Sequence, residues 1–298
     1  MSLYDCAIIG GGPAGLNAAL LLGRARRSVA LFNTNSDHLA FELQESILRN
    51  GNTSAEFMQA AKEKLEHYSN IHSIDIQGVR VIKQSDNRLF KIYTGDGKNF
   101  LAKKILLTEG TKIKSDIPNI NLYYNKSIFT SLYCYGWELR DKKLILINET
   151  NDAAHKAKIV HNLSEDLIVA TNGNEMRISE RNQLEEKGIK VFTEKIKEIK
   201  GDNGMLRSVV FQNGFEAERE AAIFTPNLYT TNVIGQGLSC DIDENGLIVV
   251  DHFGRTSEKN IYAAGDAAQP APSEIILSEA TGIQAAIAIN TDISIETF

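Results

Sequence analysis

The chain has 298 residues, 43% of them hydrophobic and 23% charged, with a net charge of −6. That is long enough for a sizeable core and, at roughly 100 to 200 residues per domain, points to two domains. The acidic balance argues against a nucleic-acid partner, which wants a basic surface, and the longest apolar runs, such as Leu20 to Leu22, are far too short to span a bilayer.

Tyr4 to Ile9 reads as a short buried strand. Gly10-x-Gly12-x-x-Gly15 follows at once, and Ala14 to Leu22 has the small and apolar residues of a helix packed on a sheet. The spacing predicts a dinucleotide-binding turn. Gly10 allows the tight exit from the strand, Gly12 lets a pyrophosphate approach the backbone, and Gly15 lets the helix lie against the strand. Pro13 suits a first helical position that needs no N–H. Ser28 to Phe32 supplies the second strand of a βαβ unit. Because no basic segment or apolar signal region precedes the first strand, a cytoplasmic location is expected.

Apolar residues at helical spacing (Phe57, Met58, Ala61, Leu65) predict an amphipathic helix over Ser54 to Tyr68. Strands are expected at Ile74 to Lys83, Leu89 to Thr94 and Phe100 to Leu107, the last two joined as a hairpin by Thr94-Gly95-Asp96-Gly97. After the break Thr108-Glu109-Gly110-Thr111 a polar connection ends at Pro118, a first domain crossing. From Lys143 the rhythm restarts: strand Leu144 to Ile147, helix Asp152 to Leu163, strand Leu167 to Ala170, helix Ile178 to Lys187 and strand Ile189 to Thr193. The turn of this second βαβ unit, Asn148-Glu149-Thr150-Asn151-Asp152, holds no glycine, and its acids would repel a pyrophosphate. Thr171-Asn172-Gly173-Asn174 lacks the basic cluster expected around a 2′-phosphate. Ser208 to Gln212 and Ala221 to Thr225 read as strands, Pro226 marks the return to the first domain, and Leu247 to Val250 reads as another strand. Asn260 to Ala264 is a strand ending in Gly265-Asp266, ahead of a helix from Ser273 to Asn290.

The three cysteines, Cys6, Cys134 and Cys240, form no CxxC and no metal-ligand spacing, so neither a disulfide framework nor a metal site is indicated. Cys6 and Cys240 read as small hydrophobes.

The Gly10 turn, Gly265-Asp266, the inserted second βαβ domain and the segment Ser131-Leu132-Tyr133-Cys134-Tyr135-Gly136-Trp137-Glu138 together resemble the low-molecular-weight thioredoxin reductases, FAD-dependent pyridine-nucleotide disulfide oxidoreductases. The resemblance implies an α/β fold of two Rossmann-like domains, the second inserted into the first. The FAD domain would be 1–116 with 228–298, and 117–227 the NADPH-binding-like domain. It implies a homodimer and a redox protein or small thiol as partner. Gly10, Gly12, Pro13, Ala14 and Gly15 match the FAD pyrophosphate turn. Phe32 and Asn33 end the strand that reaches the adenosine, and Val79 lies beside the adenine. Thr108 and Gly110 match the segment that touches the flavin, and Gly265 and Asp266 the ribityl contact. The helix opening at Ile275 points towards the flavin pyrimidine edge.

The departures bear on activity. Ser131 stands where the family's Cys-x-x-Cys begins and Tyr135 where an acid follows it, leaving Cys134 as the sole candidate catalytic residue; Asn33 replaces an acid, Glu109 a threonine, and Ser273-Glu274 an Arg-Gln pair. FAD is the expected cofactor and NADPH is not expected to bind well. Three readings follow: an FAD oxidoreductase that has lost direct thioredoxin reduction and is fed by another donor such as ferredoxin or a reduced flavin, or by NADPH through an altered site; a flavoprotein sensor or interaction protein that does not turn over; or a scaffold that has lost its cofactor.

Overall fold

The computed structural model describes residues 2–33, 54–76, 78–84, 89–110, 112–229, 232–269 and 274–298. Thr111 and Ser273 of the motifs above lie outside them. In chain order the elements begin with β1 (Leu3–Ile9), α1 (Pro13–Arg24), β2 (Val29–Asn33), α2 (Ser54–Glu66) and β3 (Ile71–Asp75). The hairpin strands β4 (Val79–Lys83), β5 (Phe90–Thr94) and β6 (Asn99–Leu107) come next, then β7 (Lys112–Lys114) and β8 (Ile128–Phe129). The middle of the chain forms α3 (Leu132–Leu139), β9 (Leu144–Asn148), α4 (Ala153–His161), β10 (Leu167–Ala170), α5 (Ile178–Glu185) and β11 (Lys190–Phe192). Four strands follow, β12 (Ile196–Asp202), β13 (Met205–Phe211), β14 (Glu216–Glu218) and β15 (Ala221–Thr225), and then β16 (Asn227–Tyr229). The chain closes with α6 (Val233–Gly237), β17 (Ile261–Ala263) and α7 (Ile275–Thr297).

These elements make two compact units. In the first, the parallel strands β3, β2, β1, β6 and β17 lie in that order, and the antiparallel β5 and β4 extend the sheet from the other half of β6. β1 and β2 are almost wholly buried because a central parallel strand is covered on both faces, which is why they read as apolar runs without alternation. The core of this unit gathers Ile9, Phe32, Phe90, Ile92, Ile105 and Leu107. The second unit, 113 to 228, carries a five-stranded parallel sheet in the order β11-β10-β9-β15-β8 and a three-stranded antiparallel sheet, β12-β13-β14. Alternate residues of β9 go to opposite faces of its sheet: Leu144 and Leu146 pack with the helices, Ile145 and Ile147 with β12 and β13. β7 and β16 form a two-stranded sheet of their own. The molecule is α/β, built on two Rossmann-like sheets whose first four parallel strands run in the same order, β3-β2-β1-β6 and β11-β10-β9-β15, the fifth being the last strand of its sheet along the chain in one (β17) and the first in the other (β8).

The strand expected over Ile74 to Lys83 is two elements. β3 ends at Asp75 and β4 begins at Val79, and between them Gly78 takes φ +79°, a conformation that breaks a strand. Leu247 to Val250 forms no strand, only isolated bridges of Ile248 to Ile242 and of Val250 to Thr256. β12 was not expected.

Cys6 is fully buried in β1, and burial pushes its thiol up. Cys240 is also buried, with its thiol raised for the same first reason and its Sγ 3.6 Å from Thr256 Oγ1. Both behave as packing groups. Among the described residues no helix is long and apolar enough to cross a membrane, and no three His, Cys, Asp or Glu side chains come together as metal ligands.

Candidate functional site

The Gly10 turn is built from backbone alone. Gly10 takes φ +118°, and a Cβ there would lie 2.4 Å from the Thr108 carbonyl oxygen, so only glycine can leave β1 at this angle beside β6. A Cβ on Gly15 would lie 2.0 Å from the Gly10 carbonyl oxygen, which is how α1 gets close to the strand it follows. Gly12 differs from both. A Cβ built there meets nothing within 4 Å, so its glycine serves open space in front of the turn rather than packing. Pro13 opens α1, and no side chain caps that helix at Gly12. The cap residue itself therefore puts no carboxylate or hydroxyl on the first N–H groups, at the positive end of the helix dipole.

The surrounding strands fix this loop. Gly10 N–H donates to the Phe32 carbonyl at 3.0 Å, and Thr108 Oγ1 donates to the carbonyls of Ile9 at 3.1 Å and Gly10 at 2.9 Å. Asn33 is buried at the end of β2. A Cβ on Gly11 would lie 2.6 Å from its Oδ1, and its Nδ2 donates to Asp75 Oδ1 at 2.8 Å. From the far end of the chain, Gly265 takes φ +61° with Ala14 beside it, and its N–H donates to Thr281 Oγ1 at 3.0 Å. Asp266 follows in a short 3-10 turn, half-buried. Gly282 of α7 brings its backbone against α1, since a Cβ there would lie 2.2 Å from the Ala14 carbonyl oxygen.

Gly10, Gly15, Ala14, Phe32, Asn33, Thr108 and Gly265 are thus one contact cluster, with Gly12, Pro13 and Asp266 next to them in the chain. The other three positions lie on neighbouring elements: Val79 starts β4 and packs on the core of this unit, Ile275 is the buried first residue of α7, and Gly110 is exposed two residues beyond Thr108.

The matching turn of the second unit is filled by side chains. Asn148 Oδ1 accepts from Thr150 N at 2.9 Å, and Asp152 at the start of α4 accepts from Asn148 Nδ2 at 3.0 Å and from Thr150 Oγ1. Burial pushes the Asp152 carboxyl up, but hydrogen bonds from Thr150 and Asn148 and the Lys156 ammonium outweigh it and hold the group below the ordinary range. Glu149 is buried: Oε1 accepts from Ser115 Oγ at 3.0 Å and Asn172 Nδ2 at 2.7 Å, and its carbonyl accepts from Asn174 Nδ2 at 3.0 Å. Its Oε2 is buried with no hydrogen-bond partner among the described residues. Beyond the turn a cleft of about 260 Å³ is bordered by Thr150, Thr171, Asn174, Glu175, Arg177 and Glu180, two acids to one base.

Cys134 sits in the first turn of α3, its backbone N–H donating to Ser131 Oγ at 3.2 Å. The serine in the place of a first cysteine is the helix N-cap. Cys134 is buried as part of the core cluster of the second unit that includes Phe129, Tyr135 and Leu139.

A family model described as pyridine nucleotide-disulphide oxidoreductase matches residues 4–282. The chain belongs to this family. Within it, the chain is similar to thioredoxin reductases along nearly its whole length. It is 26% identical to the thioredoxin reductase of Helicobacter pylori over 96% of this chain and 98% of that one, and 28% identical to thioredoxin reductase aclD of Aspergillus oryzae over 89% and 88%. The crystal structure of a putative thioredoxin reductase TrxB from Bacillus anthracis superposes with a TM-score of 0.92 at 42% identity, covering 99% of this chain and all of the other. The protein is an oxidoreductase of the thioredoxin reductase type, from a family that uses flavin and pyridine nucleotide.

Three residues around the turn of this oxidoreductase escaped the sequence reading. Asp75 and Thr281 lie 42 and 16 residues from the groups they bond, and no local pattern announces such pairs. Gly11 could have been found, because a third consecutive glycine exceeds what the turn motif requires.

Proposed function

We propose that this oxidoreductase carries FAD at the Gly10 turn and draws its electrons from a donor other than NADPH, without a dithiol in the path. The observation that supports the reading is the contrast between two turns of the same topology, one bare backbone and the other plugged by its own side chains. The first fits the group. Gly12 leaves room for a pyrophosphate, α1 offers its uncapped N-terminus, and Gly10, Pro13, Ala14 and Gly15 set the loop that would hold it. Asn33 would bond the adenosine ribose, and Asp75, which it grips, returns a carboxylate to a strand end that lacks one of its own. Phe32 and Val79 would flank the adenosine, Thr108 and Gly110 the flavin, and Gly265 and Asp266 the ribityl chain. Ile275 would direct the start of α7 towards the ring, where a helix N-terminus favours added negative charge. Bound FAD would supply electron transfer to a small disulfide or a redox protein.

The second turn does not fit a dinucleotide: a pyrophosphate would have to displace Asn148 and Thr150 and lie against Glu149 and Asp152. With Ser131 acting as a helix cap, residue 131 offers no second thiol for an internal disulfide; the Cys134 thiolate would attack a small disulfide or the disulfide of a redox protein, forming a mixed disulfide and releasing the other sulfur as a thiol. Like the thioredoxin reductases it resembles, the protein works as a homodimer in this reading.

The test is the visible spectrum, taken first as purified and then without oxygen under NADPH. The expected result is a yellow protein with about one FAD per chain whose flavin band persists under NADPH and bleaches on photoreduction or with a ferredoxin or reduced-flavin donor. A colourless protein overturns the cofactor assignment and leaves the scaffold reading. Prompt bleaching at micromolar NADPH overturns the donor assignment. A flavin that no donor reduces at a catalytic rate favours the sensor reading.

A further inference from the structure

The parallel strands β2 and β3 end side by side, with Asn33 opposite Asp75 in the register. Asn33 is buried to all but 5% and carries an amide whose two ends are chemically opposite, a donor at Nδ2 and an acceptor at Oδ1. The ends have the same shape, so the partner decides which of them faces the Gly10 turn. That partner is Asp75. An ionised carboxylate only accepts, so the group 2.8 Å from Asp75 Oδ1 has to be Nδ2, and Oδ1 of Asn33 is turned away from it. The other oxygen of Asp75, Oδ2, lies 3.5 Å from Lys62 Nζ of α2, so its two oxygens serve different partners.

Turned this way, the Asn33 side chain meets Gly11. A Cβ on Gly11 would lie 2.6 Å from Asn33 Oδ1, 2.8 Å from its Cγ and 3.1 Å from its Cβ, so the amide occupies the space that any other residue at position 11 would fill. A turn of this kind asks for glycine at 10, 12 and 15 and not at 11, and the Asn33 amide accounts for the third consecutive glycine. Among the described residues Asn33 Oδ1 accepts no hydrogen bond, while Nδ2 is committed to Asp75. The acceptor beside the turn is left for a donor from outside the chain.

We infer, on the FAD reading above, that Asp75 is a positioning residue for the adenosine ribose: it holds the Asn33 amide with Oδ1 towards the turn, and the pair offers a ribose hydroxyl the acceptor that a single carboxylate at the end of β2 would offer. The charge stands one strand away from the atom that makes the contact. With the amide reversed, Nδ2 would face the ribose and the hydroxyl would have no acceptor there. A ribose esterified with phosphate has no proton to donate at the esterified oxygen and brings negative charge towards Asp75, so the ligand class is a nucleotide with its ribose hydroxyls free.

The experiment is titration of the full chain, freed of flavin, with FAD, ADP and 2′,3′-dideoxy-ADP. The wild type is expected to bind ADP about 10-fold more tightly than the dideoxy compound, because a site built to bond a hydroxyl rejects the analogue that lacks it. Asp75→Asn, at a half-exposed position, frees the amide to turn and should lower this ratio to about 3 and FAD affinity by about 3-fold. Asn33→Asp sets two carboxylates face to face and should weaken FAD by about 10-fold. In the double change Asn33→Asp with Asp75→Asn, amide and carboxylate exchange strands, and both values should return to within about 2-fold of the wild type, whereas independent structural losses would add. If Asn33→Asp does not fold, Asp75→Asn decides through the ratio alone. Equal affinity of the wild type for the two diphosphates, a ratio that Asp75→Asn leaves unchanged, or a double variant weaker than either single one overturns the inference, and FAD uptake by the wild type then leaves the cofactor reading standing. A wild type that takes up neither FAD nor ADP overturns that reading and this inference with it.

Discussion

The two units contain the same local architecture, a parallel strand running into a helix beside a second parallel strand, yet the turns at the strand ends differ in kind. At Gly10 three glycines are forced by close backbone approaches or serve an empty space, and the side chains that reach the loop, Thr108 and Asn33, come from outside the turn and leave the space at Gly12 open. At Asn148 the corresponding positions carry side chains that bond to one another and to Asn172, Asn174 and Ser115. The fold survives both solutions because the sheet is held by its apolar layers, not by the turn. What changes is the space in front of the helix, open at Gly12 and occupied by Asn148, Thr150 and Asp152 in the second unit, while neither helix has a side-chain cap.

The sharpest way to break this comparison is Gly12→Asp. Since a Cβ at residue 12 meets nothing within 4 Å, the variant should fold normally while its flavin content falls at least 10-fold, because the new carboxylate faces the pyrophosphate. Unchanged flavin absorbance would remove FAD from this turn. The second unit gives the converse. Calorimetry of the native protein should find NADPH weaker than about 100 μM, or about 5.5 kcal/mol, and the triple change Asn148→Gly, Glu149→Gly and Thr150→Gly should tighten it by about 10-fold. Micromolar binding by the native chain would end the distinction between the turns.

A smaller effect separates packing glycines from the open one. Gly15→Ala places a methyl 2.0 Å from the Gly10 carbonyl oxygen and should cost about 1–3 kcal/mol in denaturant unfolding, with flavin lost only as far as the fold is. Smallest is the acid response of the plugged turn. A carboxyl held below its unfolded value contributes stability that is present above that value, about 3.9, and disappears as pH falls through the folded value. The Asp152 network should therefore loosen only below about pH 4, and Asp152→Asn should flatten the unfolding midpoint of the second unit against pH there. A midpoint equally steep in both proteins would show that the network does not depend on the charge.

Legibility in the sequence followed the same division between local and distant causes. β1, α1 and β2 could be read because burial on both faces leaves continuous apolar runs and because the glycine spacing is fixed by backbone sterics. β12 could not. Ile196 and Ile199 are its buried residues, three apart rather than two, because a register shift after Ile196 breaks the alternation that marks a strand. Leu247 to Val250 failed in the other direction, being apolar enough for a strand but without a neighbouring strand to continue its two bridges. At the site, the glycines announce themselves, whereas the Asn33–Asp75 bond depends on two strands becoming neighbours in the sheet.

The approach of Gly282 to Ala14 joins residues 268 positions apart in the chain. The closing of so long a loop is slow compared with the formation of any single βαβ unit. During synthesis, when domains fold as they emerge, the Gly10 turn can form its strand and helix early but gains its supports from Gly265, Thr281 and Gly282 only after almost the whole polypeptide has been made. The sheets of the second unit, drawn from residues 128–225 alone, have no such wait. Completion of the Gly10 turn is consequently among the last events in maturation, and a ribosome stalled anywhere before residue 282 leaves a chain whose turn lacks its final wall.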